Sequence, residues 1–193
     1  MTEKHDASLW ENSLLEFRNR VAAGSATPGG GAVAAVAATY AAALLQMVCA
    51  ITSTRKPHAG MMAIAAKVKI CEEELTYCAE EDIRVFDRYM AARNVLSASM
   101  HAEVQRCLLA CTEVPLTAAE AVVNLEDYAA EMGPHCAEFL ASDLATARHL
   151  LDASRKALVA NVSINLTDLE DCEAKRAILR RLEALQRGAN TTA

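Results

Sequence analysis

The residue in this chain best placed to do chemistry is a carboxylate on an otherwise apolar helix seam. Between Ala59 and about Ala92, the residues Ile64, Val68, Cys71, Leu75, Cys78, Val85, Phe86 and Tyr89 recur every three or four positions, the spacing of a buried helix face. Counting on from Cys78 by the same step lands on Asp82, while Glu80 and Glu81 point elsewhere. A carboxylate drawn out of water has its pKa raised toward the range useful for proton transfer. The alternative is a structural aspartate, hydrogen-bonded to a Thr or Asn of a neighbouring helix.

Three other groups of residues have chemical possibilities. Ser25 to Gly31 reads Ser-Ala-Thr-Pro-Gly-Gly-Gly. Pro28 ends whatever precedes it, and Gly29, Gly30 and Gly31 open a helix whose first N–H groups no side chain covers. Those groups can receive a carboxylate or a polar heterocycle, or the glycines can serve close packing alone. Thr52-Ser53-Thr54-Arg55-Lys56-Pro57-His58 holds the one local basic cluster. There Arg55 and Lys56 either offset the negative end of a helix or bind an anion. Asn161 and Asn165 lie one turn apart on one helix face, as caps and network members or as ligand contacts.

Many common sites are absent. The triple glycine lacks the spacing and the Lys-Ser/Thr of a phosphate loop, and no G-x-G-x-x-G follows a strand. No Glu-x-x-His pairs for a di-iron centre occur. Seven cysteines without a Cys-x-x-Cys pair read as reduced thiols. Cys107 and Cys111, one turn apart, are core residues rather than metal ligands on this reading. A net charge of -6 with dispersed Lys and Arg argues against a nucleic-acid partner.

The elements that must hold these residues are all helical. Hydrophobic residues make up 53% of the 193 positions and aromatics only 4%, a balance that favours helices in close contact over strands. The expected architecture is all-α, a single-domain bundle spanning residues 1–193 around a central buried Ala-rich helix, Ala32 to Ile51. Although about 20 apolar residues would also span a bilayer, the weak hydropathy of Ala and Thr and a polar N-terminus without a signal peptide favour a cytoplasmic protein with no membrane association. A first amphipathic helix is expected over Ser8–Ala22 and a long one over Ala59–Ala92. A weaker one, from about Ala98 to Cys111, should kink or restart at Pro115 and run to about Met132. Gly133-Pro134 stops it, Ser142 is placed to cap the next helix, and a charged helix runs from Asp168 to about Arg187. The tail from Gly188 is expected to be disordered.

Taken together, these landmarks resemble the cyclodeaminase/methenyltetrahydrofolate cyclohydrolase family, which includes the C-terminal half of formiminotransferase-cyclodeaminase. The matching pieces are Ser25 to Gly31, Met47-Val48-Cys49, Thr52 with Arg55-Lys56, Asp82 with Phe86 and Met90, Val114-Pro115-Leu116, Ser142-Asp143, and Asn161 with Asn165. The resemblance implies an all-helical homodimer that acts on a tetrahydrofolate derivative with no metal or redox cofactor. It also implies that Asp82 is the catalytic acid–base and that Pro28, Gly29, Gly30, Gly31, Thr52, Arg55, Lys56, Asn161 and Asn165 bind substrate, with Arg55 and Lys56 on its glutamate tail. Hydrolysis of 5,10-methenyltetrahydrofolate to the 10-formyl compound is the expected reaction. The alternatives are release of ammonia from the formimino compound and a non-catalytic folate-binding or scaffold role. Two stretches depart from the family pattern: Arg93 to His101 is short and lacks proline, and Gly133-Pro134-His135-Cys136 stands where Gly-Asn-x-Asn is usual.

Overall fold

The computed structural model describes residues 8–55, 59–95 and 100–189. Among these are six α-helices, α1 (Leu14–Val21), α2 (Gly30–Arg55), α3 (Ala59–Arg93), α4 (His101–Met132), α5 (Ala141–Asp168) and α6 (Glu173–Ala189), and no strand. Helix α2 packs against α3 and α5, and α4 packs against the same two. The four therefore form a square bundle with α2 and α4 on one diagonal. On its inner faces α2 is built of small residues, with Ala38, Ala41 and Ala42 fully buried, which lets the neighbouring backbones approach closely. Its remaining face is open: Val33 and Tyr40 are 37% and 47% exposed. Helix α6 lies on α4, where Arg181 makes a two-pronged ion pair with Glu120 through Nε–Oε1 and Nη2–Oε2 contacts of 2.8 and 2.6 Å.

The first expected helix is in fact two pieces. A single 3-10 turn spans Leu9–Glu11. Ser13 then starts α1 with a capping box, its hydroxyl accepting from the Glu16 N–H while the Glu16 carboxylate accepts from the Ser13 N–H. That reciprocal cap outweighs the helical spacing of the apolar residues on either side. Leu9 and Phe17 pack on Ala35, Val36, Ala79 and Ile83, and the Glu80 carboxylate accepts from the Leu9 N–H at 2.9 Å. The N-terminal segment is thereby pinned across α2 and α3.

Pro115 does not restart the helix; one helix runs from His101 to Met132 with Pro115 inside it. Because proline has no N–H, the carbonyl four residues earlier, that of Cys111, loses its helical donor. Asn165 on α5 supplies the replacement, its Nδ2 donating to the Cys111 carbonyl at 2.8 Å. Ser142 does not cap α5, which begins at Ala141 without a side-chain cap. Helices α2 and the 101–135 stretch are each long and apolar enough to cross a bilayer, and 56% of the most apolar window of each is buried inside the bundle.

Candidate active site

Gly31 and Asp82 meet at one end of the bundle. The Ala32 N–H donates to Asp82 Oδ2 at 2.8 Å, so one carboxylate oxygen caps an otherwise unpaired donor in the first turn of α2. Glycine at position 31 makes this approach possible. A methyl group there would stand 2.7 Å from Asp82 Cγ and 2.8 Å from Oδ2, with Oδ1 closer still. The turn leading in is fixed from the other side, where the Thr27 hydroxyl donates to Asp87 Oδ1 at 2.9 Å and the Ser25 hydroxyl to the Thr27 carbonyl at 2.7 Å. Pro28 is buried and its peptide bond with Thr27 is cis.

Withdrawal from water raises the Asp82 pKa to about 6, and the hydrogen bond from Ala32 opposes the shift without cancelling it. Two thiols lie within electrostatic reach of Asp82. Burial pushes Cys78 on the same helix and Cys111 on α4 each up to about 12. Both stay neutral at physiological pH, so Asp82 is the group here that exchanges protons near neutrality.

Helix α5 closes the same end. Asn161 donates Nδ2 to the Ala157 carbonyl at 2.8 Å, and its side chain also lies beside Gly30, whose missing Cβ would stand 3.4 Å from Nδ2 and 3.7 Å from Oδ1. Asn165 is committed to the carbonyl that Pro115 frees. This bond gives a prediction. Asn165→Leu leaves a buried carbonyl unpaired and should lower stability by about 1–3 kcal/mol in chemical denaturation, whereas a ligand contact would show as a raised KM without that loss.

The other expected binding residues lie elsewhere. Thr52 and Arg55 occupy the opposite end of α2, and 24 residues of helical rise separate Arg55 from Gly31 by about 36 Å. Arg55 is exposed and rests over the Phe139 ring, 4.3 Å from its centroid. Thr52 is buried and its hydroxyl has no hydrogen-bond partner among the described residues. Lys56 lies outside the described residues. Within one protomer, Pro28 to Gly31, Asp82 and Asn161 form one site, while Thr52 and Arg55 belong to the far end.

Two further acids take part that the sequence reading did not single out. Glu81 is 8% exposed, paired with Arg84 and, at 3.0 Å, with Arg88. It lies on the seam itself, three residues after Cys78 and four before Val85, so the expectation that Glu81 points elsewhere is corrected: the step of three reaches Glu81, which is buried, and the step of four reaches Asp82, which is half-buried. Asp87 was missed because its partner, Thr27, is 60 residues away.

Comparison with known proteins follows the same outline. A family model described as formiminotransferase-cyclodeaminase matches residues 13–184. The formimidoyltransferase-cyclodeaminase of Sus scrofa is 30% identical over 198 aligned positions, covering 97% of this chain and 37% of that protein. The chain thus spans little more than a third of that relative's length. The methenyltetrahydrofolate cyclohydrolase of Methylorubrum extorquens is 29% identical, with 90% of this chain and 89% of that protein aligned. Among solved structures, the formiminotetrahydrofolate cyclodeaminase from Thermotoga maritima superposes with a TM-score of 0.86 at 27% identity, covering 94% of this chain and 92% of that one.

Proposed function

Because the chain belongs to the formiminotransferase-cyclodeaminase family, we propose that it is a methenyltetrahydrofolate cyclohydrolase, opening 5,10-methenyltetrahydrofolate to 10-formyltetrahydrofolate. The observation that carries this reading is the Asp82 carboxylate, pushed up to about 6 and fixed by one oxygen to the first turn of α2. The methenyl carbon bridges two nitrogens in a cationic amidinium and is already electrophilic. Catalysis then needs orientation and proton transfer, for which neither a metal nor a redox cofactor is required.

The steps balance on one carboxylate. Ionised Asp82 takes a proton from water as the water oxygen bonds to the methenyl carbon, giving a neutral carbinol. Protonated Asp82 returns that proton to N5 as the carbon–N5 bond breaks, and the carbinol proton leaves as the formyl C=O forms. The sum is substrate cation plus water giving formyl product plus one proton. A pKa near 6 suits both halves, since the group is largely ionised at neutral pH yet readily protonated. Asn161, beside Gly30, is placed to bond the pterin or the attacking water.

The likeness to a solved cyclodeaminase supports a second reading, in which a folate nitrogen attacks the formimino carbon and the protonated Asp82 assists departure of ammonia. Purified protein separates the two. The cyclohydrolase reading expects catalysed loss of methenyl absorbance without ammonia from the formimino compound, and the cyclodeaminase reading expects ammonia. A folded protein doing neither would defeat both. We also take the enzyme to be a cytoplasmic homodimer: seven unpaired cysteines suit a reducing compartment, and the open apolar face of α2 supports self-association.

A further inference from the structure

At its N-terminal end α2 stops short of the helices it packs against. Gly31 meets Asp82 and Gly30 meets Asn161, yet α3 continues from Asp82 to Arg93, α5 continues from Asn161 to Asp168, and α4 arrives through His101–Cys111. Three helices therefore extend about 10–16 Å past the level at which α2 begins. Among the described residues no helix continues the column of α2, and the bundle has an open corner there. At 100° per residue, Phe86 and Met90 lie about 40° and about 80° around α3 from Asp82. That is close to the direction of Ala79 and Ile83, which cluster with Ala35 and Val36 of α2 one turn nearer the middle of the bundle. Phe86 and Met90 thus stand on the side of α3 that α2 has vacated. Burial agrees: Val85 and Tyr89, in the same two turns, are 3% and 8% exposed, whereas Phe86 and Met90 are only half-buried.

We propose that this corner is the pterin subsite, with the ring stacked on Phe86, Met90 against its outer edge, and the amide oxygens of Asn161 and Asn165 accepting from its N–H groups. This rests on the folate reading above and names where the ring of that substrate goes. A missing helix leaves a width of about 10 Å, room for one flat ring between α3 and α5. The Phe86 ring is braced from the core side by Tyr89, with centroids 6.0 Å apart and planes tilted by 56°, so its position is set before a ligand arrives. Met90 supplies a polarizable thioether. Across the corner, Asn161 and Asn165 spend their Nδ2 groups on the Ala157 and Cys111 carbonyls, which turns each amide oxygen into an acceptor for a ligand. The N3–H and 2-amino groups of a pterin are donors of the matching kind. Phe86 is one turn from Asp82, about 6 Å along α3, so a ring stacked there keeps N5 and the methenyl carbon beside the carboxylate.

Two readouts test this. Phe86→Leu keeps the apolar volume but removes the aromatic face, and should raise KM for methenyltetrahydrofolate on the order of 10-fold with kcat little changed. Phe86→Tyr restores the face and should restore KM. An unchanged KM in Phe86→Leu, or a loss that Phe86→Tyr does not rescue, would overturn the proposal.

The second readout needs no activity and leaves Phe86 in place. Met90→Cys puts a half-buried thiol at the outer edge of the corner, and its modification by a small methanethiosulfonate is followed by peptide mass spectrometry. 6-Methyltetrahydropterin, the ring without its benzoylglutamate, should slow modification at position 90, while p-aminobenzoylglutamate should not. Met62→Cys, exposed toward the other end of α3, should react equally fast with and without either compound. Protection of position 90 by p-aminobenzoylglutamate alone would put the other half of the substrate in the corner and overturn the proposal, as would protection by neither. If the pterin protects but neither folate is turned over, the subsite stands and the proposed reaction falls.

Discussion

Asp82→Asn should lower kcat for methenyltetrahydrofolate hydrolysis by at least about 10²-fold while leaving the protein no less stable at pH 7–8. The substitution is nearly isosteric, and the Asn oxygen can still accept from the Ala32 N–H, so the first turn of α2 keeps its partner. What disappears is the capacity to exchange a proton. The stability half of this expectation follows from the sign of the shift. Burial raises the folded pKa from 3.8 to about 6, so the folded chain holds its proton more tightly than the unfolded one. The stabilisation that this confers is fully present below pH 3.8 and is lost as pH rises through 6. At neutral pH the wild-type fold therefore carries an ionised, desolvated carboxylate, and Asn removes it. Thermal melts at pH 7.5 should show Asp82→Asn at or above wild type, and a drop of several degrees would mean that the carboxylate is structural.

Gly31→Ala is expected to be nearly as damaging for a different reason. In an exposed helix interior this change favours the helix by roughly 1 kcal/mol. Here the added methyl occupies the space of the Asp82 carboxyl group, 2.7 Å from Cγ. The side chain is short and tied to Ala32, so it must rotate out of its bond or push α3 away from α2. Overpacking of this kind costs about 1–3 kcal/mol. Turnover should fall on the order of 10²-fold, since a displaced base loses the geometry that proton transfer demands. Gly30→Ala provides the contrast, because its methyl would meet Asn161 Nδ2 at 3.4 Å, close to ordinary van der Waals contact. Kinetics alongside far-UV circular dichroism separate the two: Gly31→Ala stays helical but slow, and Gly30→Ala is much milder. Equal tolerance of both would mean that Asp82 does not depend on the glycine.

How far the sequence reveals this architecture depends on the range of the interactions involved. Helix α3 was legible almost to its ends, since a long apolar seam with the three-to-four step is a local signal. A step of four along that seam also reached Asp82, although the fully buried line passes through Glu81 beside it. Contacts that join distant segments were not legible. The break in the N-terminal segment was a local signal overlooked rather than a distant one: Ser13-Leu14-Leu15-Glu16 is a capping-box pattern, and the recurrence of Leu9, Leu14, Phe17 and Val21 across it suggested one helix instead. At Pro115 the expectation of a restart assumed that the freed carbonyl had no other donor, and that donor is Asn165, 50 positions on in the chain. The same pairing gives Asn165, expected as a substrate contact, a bond between helices that no local pattern announces. The basic cluster at Arg55 illustrates a third limit. Composition identifies a cation, but only the length of α2 shows that it lies far from Asp82 in its own chain.

The most direct test is the pH dependence of kcat/KM for methenyl hydrolysis, which reports the ionisation of groups in the free enzyme. Hydrolysis begins with ionised Asp82, and the thiols of Cys78 and Cys111 remain neutral throughout the range. The account predicts a single-proton acid limb with its midpoint near 6, absent from the residual activity of Asp82→Asn. A profile flat down to pH 4.5, or the same limb persisting in Asp82→Asn, would contradict it.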